Sequence, residues 1–133
     1  MKHLLDANVL LALGLSDHSL HARVVEWLQR ESRNGPKDVA TCAITELAFV
    51  RILTQTVYGY SVEEAKGALR QLKGIGDLDF VFFPDDESAA HLPVWVLRPH
   101  QVTDGHLVAL AKRHGAVLAT LDEKIPGAFV VPR

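Results

Sequence analysis

Cysteine is almost absent: Cys42 is the only one in 133 residues. No intrachain disulfide can form, and a reducing, cytoplasmic setting is expected. No apolar run approaches the ~18 residues of a membrane span, so no membrane role is expected. Asp6 and Asn8 interrupt the N-terminal apolar run, which argues against a secretory signal. Internal repeats, low-complexity tracts and linkers are also missing, and the length suits one domain, 1–133. Excess charge of either sign is missing as well. With 14 basic and 16 acidic residues the net charge is −2, which counts against a strongly basic nucleic-acid surface. At 48% hydrophobic and 23% charged, the chain has enough apolar residues for a proper core.

The organising stretch is Lys2-His3-Leu4-Leu5-Asp6-Ala7-Asn8-Val9-Leu10-Leu11-Ala12-Leu13. An apolar run ending in a carboxylate reads as a buried strand that delivers an acid to a sheet edge. In open α/β sheets, ligands bind beyond the carboxyl ends of the strands. Asp6 is therefore placed for chemistry, and Asn8 for orienting it by hydrogen bonding.

Strand and helix patterns then alternate. Residues 2–6 read as a strand and 7–14 as a short helix. Ser16 or Asp17 is expected to cap a helix over 19–33, with Leu20, Val24, Trp27 and Leu28 facing inward. Residues 39–42 read as a strand, and 43–56 as a helix apolar almost all round. Ser61-Val62-Glu63-Glu64 is a capping box for a helix to about residue 73, stopped by Gly74. Residues 78–83 form a third strand, 85–92 a short helix and 93–102 a loop. Thr103 is expected to cap a helix to His114, followed by a strand over 116–120 and an edge strand over 128–131. The fold class is thus α/β: a mostly parallel central sheet of four to five strands, flanked by helices on both faces.

Four acids stand out. Successive helix residues turn by ~100°, so Phe49, Val50 and Leu53 lie within about 60° of Glu46. Glu46 therefore heads an apolar stripe, where a carboxylate must be paired, metal-bound or neutral. Asp104 shares its helix side with Leu107, Val108 and Ala111, although capping alone also accounts for an acid in a first turn. Asp122 ends a strand as Asp6 does, although Asp122-Glu123-Lys124 also reads as a surface turn. Thr120 stands beside it as a supporting hydroxyl. In a parallel sheet, strand C-termini and the helix N-termini that follow lie on one side. Four carboxylates gathered there repel unless a cation neutralises them. Hard oxygen ligands select Mg²⁺ or Mn²⁺, and the matching chemistry is phosphodiester hydrolysis. With four acids committed to metal, twelve remain against 14 bases, so the rest of the surface is slightly basic.

Leu5-Asp6-Ala7-Asn8-Val9-Leu10-Leu11 resembles the opening motif of PIN-domain nucleases. Thr45-Glu46-Leu47, Thr103 to Ala111, and Leu118-Ala119-Thr120-Leu121-Asp122 resemble their later motifs, in order and spacing, over the whole chain. Within that family the chain looks most like VapC-type toxins of bacterial toxin–antitoxin pairs. The resemblance implies a Mg²⁺-dependent endoribonuclease acting on RNA, a homodimer, and inhibition by a cognate antitoxin. It makes Asp6, Glu46 and Asp104 the main metal ligands, with Asp122 bound directly or through water, and with Asn8 and Thr120 in support. Family members often flank the last aspartate with an aromatic and a basic residue, where this chain has Leu121 and Glu123.

Other readings fit less well. A phosphatase of the haloacid dehalogenase type needs a second aspartate where Asn8 stands. A receiver domain needs an acidic pair that is absent near Asp6. A DNA-directed nuclease or a non-catalytic module on the same fold remain the alternatives. His18 and His21 lack an acid or cysteine to complete a metal set. His100 and His106 flank Asp104 and stay outside the catalytic set. Arg51, Arg98, Lys112 and Arg113 are candidate phosphate contacts. Trp27 is expected in the core, while Trp95 is open to base stacking.

Overall fold

In the computed structural model, which describes residues 1–133, strand β1 (His3–Leu5) is covered on both faces. Its His-Leu-Leu run has no polar alternation because neither face meets water. β2 (Lys37–Cys42) pairs with it on one side and β4 (Val117–Thr120) on the other. β3 (Leu78–Phe83) and β5 (Phe129–Val130) form the edges, giving the order β3-β2-β1-β4-β5, parallel throughout. The chain first builds outward through β2 and β3, then crosses back to β4. The point where the order reverses lies between β1 and β4, where a ligand crevice opens in such sheets.

Four helices cover one face: α1 (Ala7–Gly14), α2 (His21–Glu31), α3 (Ala43–Leu53) and α4 (Val62–Lys73). Leu5, Val9, Leu10, Val24, Phe49, Leu53 and Leu72 meet in the core there. α5 (Val102–Arg113) covers the other face, where Leu4, Ala40, Cys42 and Leu118 pack against Leu107 and Leu110. The expected layering therefore holds, with an unequal division of helices.

Several expected boundaries move for local reasons. α2 starts at His21 with no side-chain cap, so neither Ser16 nor Asp17 caps it. Tight turns fill the gap, with His18 N–H donating to Leu15 O and His21 N–H to His18 O. The expected helix over 85–92 shrinks to one 3₁₀ turn, Ala89–His91. α5 begins at Val102, directly after a 3₁₀ turn over Pro99–Gln101, so Thr103 lies inside its first turn and caps nothing. The capping box of α4 forms as read: Ser61 Oγ accepts from Glu64 N–H at 3.0 Å, and Glu64 Oε1 accepts from Ser61 N–H at 2.9 Å. No helix is long and apolar enough to cross a membrane.

Gly105 lets the preceding loop approach α5 closely. A Cβ there would stand 2.3 Å from Val96 Cγ2, a stiff β-branched side chain. The loop holding Trp95 is thereby laid against the helix that carries Asp104.

His3 is 3% exposed, with its ring 5.1 Å from Trp27 and 4.7 Å from Phe129, and its Nδ1 has no partner. Burial, aided by the Lys37 ammonium, lowers its pKa to about 4. The unfolded chain, near 6.5, binds this proton more readily than the folded one. His3 thus contributes its full stability above pH 6.5 and loses it as pH falls towards 4. Between pH 7.5 and 4.5 the wild type should lose about 2–3 kcal/mol more than a His3→Leu variant does. Urea titrations at the two pH values check this. Equal losses in both proteins would rule out His3 as the source.

Candidate active site

Asp6 follows β1 directly and is the N-cap of α1. Its Oδ1 accepts from Ala7 N–H at 2.8 Å, and the residue is 9% exposed. One residue thus ends a strand, starts a helix and points its second oxygen towards β4. That oxygen, Oδ2, accepts from Thr120 Oγ1 at 2.8 Å.

Thr120 is a saturated hub. Its one hydroxyl hydrogen goes to Asp6, and its oxygen accepts from Asn8 Nδ2 at 3.2 Å and from Asp122 N–H at 3.1 Å. Asn8 Oδ1 accepts from Leu121 N–H at 3.1 Å. Asn8 therefore supports Asp6 by hydrogen bonding as expected, through Thr120. Asp122 Oδ1 accepts from Lys124 N–H at 2.9 Å, so the residue also forms the surface turn that its sequence allowed.

Asp104 stands in the first turn of α5 and makes no capping bond. Its carboxyl pKa is raised, first by burial and then by the charges of Asp6 and Asp122, with His100 opposing. Burial also raises Asp6, and Asp122 adds to it, against the hydrogen bonds from Thr120 and Ala7. Asp6, Asp104 and Asp122 thus share one electrostatic field at the β1/β4 crevice. Asp104 is harder to ionise because Asp6 and Asp122 are near, and Asp6 because Asp122 is, and a divalent cation relieves that cost. The donors are hard oxygens, of the type that suits Mg²⁺ or Mn²⁺. The fit lies in charge and ligand type; as the side chains stand, no three close around a single point.

Glu46 does not join this field. Its Oε2 accepts from Thr41 Oγ1 at 2.5 Å and pairs with Lys73 Nζ at 2.5 Å. Of the three states open to a carboxylate on this apolar stripe, the structure displays the paired one. The structure thus brings three of the expected acids into one field and shows the fourth, Glu46, held by a lysine. Thr41 and Lys73 escape a sequence reading. Lys73 lies 27 positions after Glu46 and on a different helix, so no local spacing signals the pair.

The remaining candidates separate cleanly. His106 Nε2 lies 2.7 Å from Asp85 Oδ2, and Arg113 Nε donates to Asp86 Oδ1 at 3.0 Å. His21 Nδ1 meets Ala12 O at 2.7 Å, tying α2 to α1, and His18 Nδ1 accepts from Leu20 N–H. Arg51, Arg98 and Lys112 are exposed. Trp27 is buried, and Trp95 packs partly buried on the α5 side. Cys42 is buried and serves the entry to α3, its N–H donating to Thr45 Oγ1 at 3.1 Å.

Comparison with known proteins identifies the family. A family model described as the PIN domain matches residues 3–128. The chain is similar to ribonuclease VapC39 of Mycobacterium tuberculosis, 40% identical over 129 residues, which covers 92% of this chain and 89% of that protein. It is similar also to ribonuclease VapC38 of Mycobacterium tuberculosis, 37% identical over 123 residues, covering 90% and 84%. Among solved structures, the crystal structure of VapBC2 from Rickettsia felis bound to a DNA fragment from their promoter aligns with TM-score 0.59 over 97% of this chain and 96% of that chain. At 13% identity this likeness speaks for the fold alone. The family match over nearly the whole length, together with relatives at these identities, places the chain in the PIN-domain family, among the VapC-type proteins.

Proposed function

We propose that this protein is a metal-dependent endoribonuclease toxin that hydrolyses RNA phosphodiester bonds and is neutralised by a cognate antitoxin. The observation that carries the reading is the shared field of Asp6, Asp104 and Asp122 at the point where the strand order reverses. The relatives' names, ribonuclease VapC38 and VapC39, favour RNA over DNA as the substrate. A homodimer working in the cytoplasm follows the VapC pattern.

Asp6 and Asp104 are the main ligands for Mg²⁺, or for Mn²⁺ as its substitute, with Glu46 and Asp122 completing the set. The chemistry such an ion supplies when bound is activation of water and neutralisation of charge on the phosphodiester. Thr120 holds Asp6 by one carboxylate oxygen, and Asn8 holds Thr120, so the carboxylate is oriented before substrate arrives. Capping of α1 fixes the other oxygen. Arg98, beside the α5 entrance, is a contact for RNA phosphate.

The test is incubation of purified protein with total bacterial RNA, and separately with single-stranded DNA, in Mg²⁺, in Mn²⁺ and in EDTA. Discrete RNA fragments with either metal, none in EDTA and intact DNA are expected. Cleavage of DNA in place of RNA would transfer the site to a DNA-directed nuclease. Metal binding without cleavage of either, in protein freed of antitoxin, would favour a non-catalytic module.

A further inference from the structure

Lys73 occupies the last turn of α4 and places its ammonium 2.5 Å from Glu46 Oε2. Thr41 donates to the same oxygen from β2. The ring of Phe82, half exposed on β3, lies 5.7 Å from that ammonium. Four elements thus seat one cation on the one site acid outside the field of the other three. The lysine side chain is 35% exposed and the glutamate 18%, so the pair stands at a rim.

We propose that Lys73 is an internal counter-ion that competes with the divalent metal for Glu46. The inference rests on the metal-dependent reading above. Thr41 and Lys73 both engage Oε2, and a carboxylate that shares its charge with an ammonium attracts a second cation less strongly through either oxygen until that pair opens. The ammonium also repels an approaching dication while it stays in place. A pair at a partly exposed rim is weak, so it opens within an accessible range of metal concentration and sets a threshold without blocking the site. Phe82 keeps the lysine seated by a cation–π contact and adds no negative charge that could itself draw metal. A purely structural ion pair makes a different forecast: its loss would alter stability and leave metal affinity unchanged.

Mn²⁺ binding to metal-free protein, followed by electron paramagnetic resonance, separates the two. It reads affinity without any turnover. The proteins are wild type, Lys73→Met, Glu46→Gln and the double variant. Lys73→Met keeps most of the stem and is expected to bind Mn²⁺ about three- to fivefold more tightly than wild type. Glu46→Gln should bind more weakly, and adding Lys73→Met to it should bring no gain. Phe82→Leu loosens the lysine's seat without touching either charge, and should shift affinity the same way by a smaller factor. It carries the test if Lys73→Met fails to fold. Equal or weaker binding by a folded Lys73→Met overturns the proposal. So does a gain that survives undiminished in the Glu46→Gln background, which would be a general charge effect. If wild type binds no Mn²⁺ at all, the metal-site reading falls and the counter-ion role falls with it.

Discussion

Asp104→Asn is expected to slow RNA cleavage at least ~100-fold and, in EDTA, to melt higher than wild type by roughly 1–4 °C. The two effects share one cause. Asp104 makes no capping bond to lose, and its carboxylate is pushed up by burial and by Asp6 and Asp122. A group whose folded pKa lies above its unfolded value weakens the fold when ionised, at all pH above the folded value. That penalty fades as pH falls through it. Asparagine keeps the shape and drops the charge, so the metal-free protein gains stability. The same change removes a proposed metal ligand, so activity is expected to fall. Adding Mg²⁺ should raise the melting temperature of wild type and shrink the variant's advantage, because bound cation relieves the same repulsion. Thermal melts with and without Mg²⁺, run beside the cleavage assay, check both parts. A variant that is less stable in EDTA would show that Asp104 supports the fold, and would remove the argument for a shared acidic field.

Phe49→Ala is expected to cost about 3–5 kcal/mol of stability. Phe49 is fully buried on α3 and lies where α1, α3 and α4 meet. Gly14 ends α1 there, and a Cβ on it would stand 3.4 Å from the Phe49 ring and 3.5 Å from Leu72. Even a methyl on Gly14 would already be in van der Waals contact with both, so the junction is close-packed around the ring. A fold of this size holds roughly 5–15 kcal/mol in total, so the variant loses a large share of it. The control is Leu47→Ala on the same helix. Leu47 is 65% exposed, and its truncation should change stability by less than about 0.5 kcal/mol. Urea unfolding of the two variants decides the matter. A loss near 1 kcal/mol for Phe49→Ala would mean that the junction collapses around the gap.

Much of this was legible in the sequence because the relevant signals are local. Leu4-Leu5 running into Asp6 marks a central strand and its exit. Ser61 followed by Glu64 marks a helix start and forms as read. Asp104 stands out because it shares a helix side with Leu107, Val108 and Ala111, and Asp122 because it closes an apolar strand. The failures have the opposite character. Residues 15–20 stack short turns ahead of α2, and a serine or aspartate near a helix resembles a cap whether or not it bonds. The apolar stripe marks Glu46 as a carboxylate needing a partner, and that partner comes from the far end of α4. Spacing points Asn8 at Asp6, and the intermediary between them is Thr120, 112 positions from Asn8. Periodicity reports which side a residue faces; it does not report which distant group is waiting there.

The Thr120 hub also imposes an order in time. Asp6 is made first, and the hydroxyl that orients it follows 114 positions later. At about 5–20 residues per second, the gap is on the order of ten seconds. Throughout that interval β1 lacks its β4 neighbour, and Asp6 lacks both Thr120 and the approach of Asp122. A nascent chain surrounded by ribosomal and messenger RNA therefore carries the first acid of a nuclease without the nuclease. The wide separation of these partners along the chain acts as a delay, and the delay ends only when Thr120 has been made.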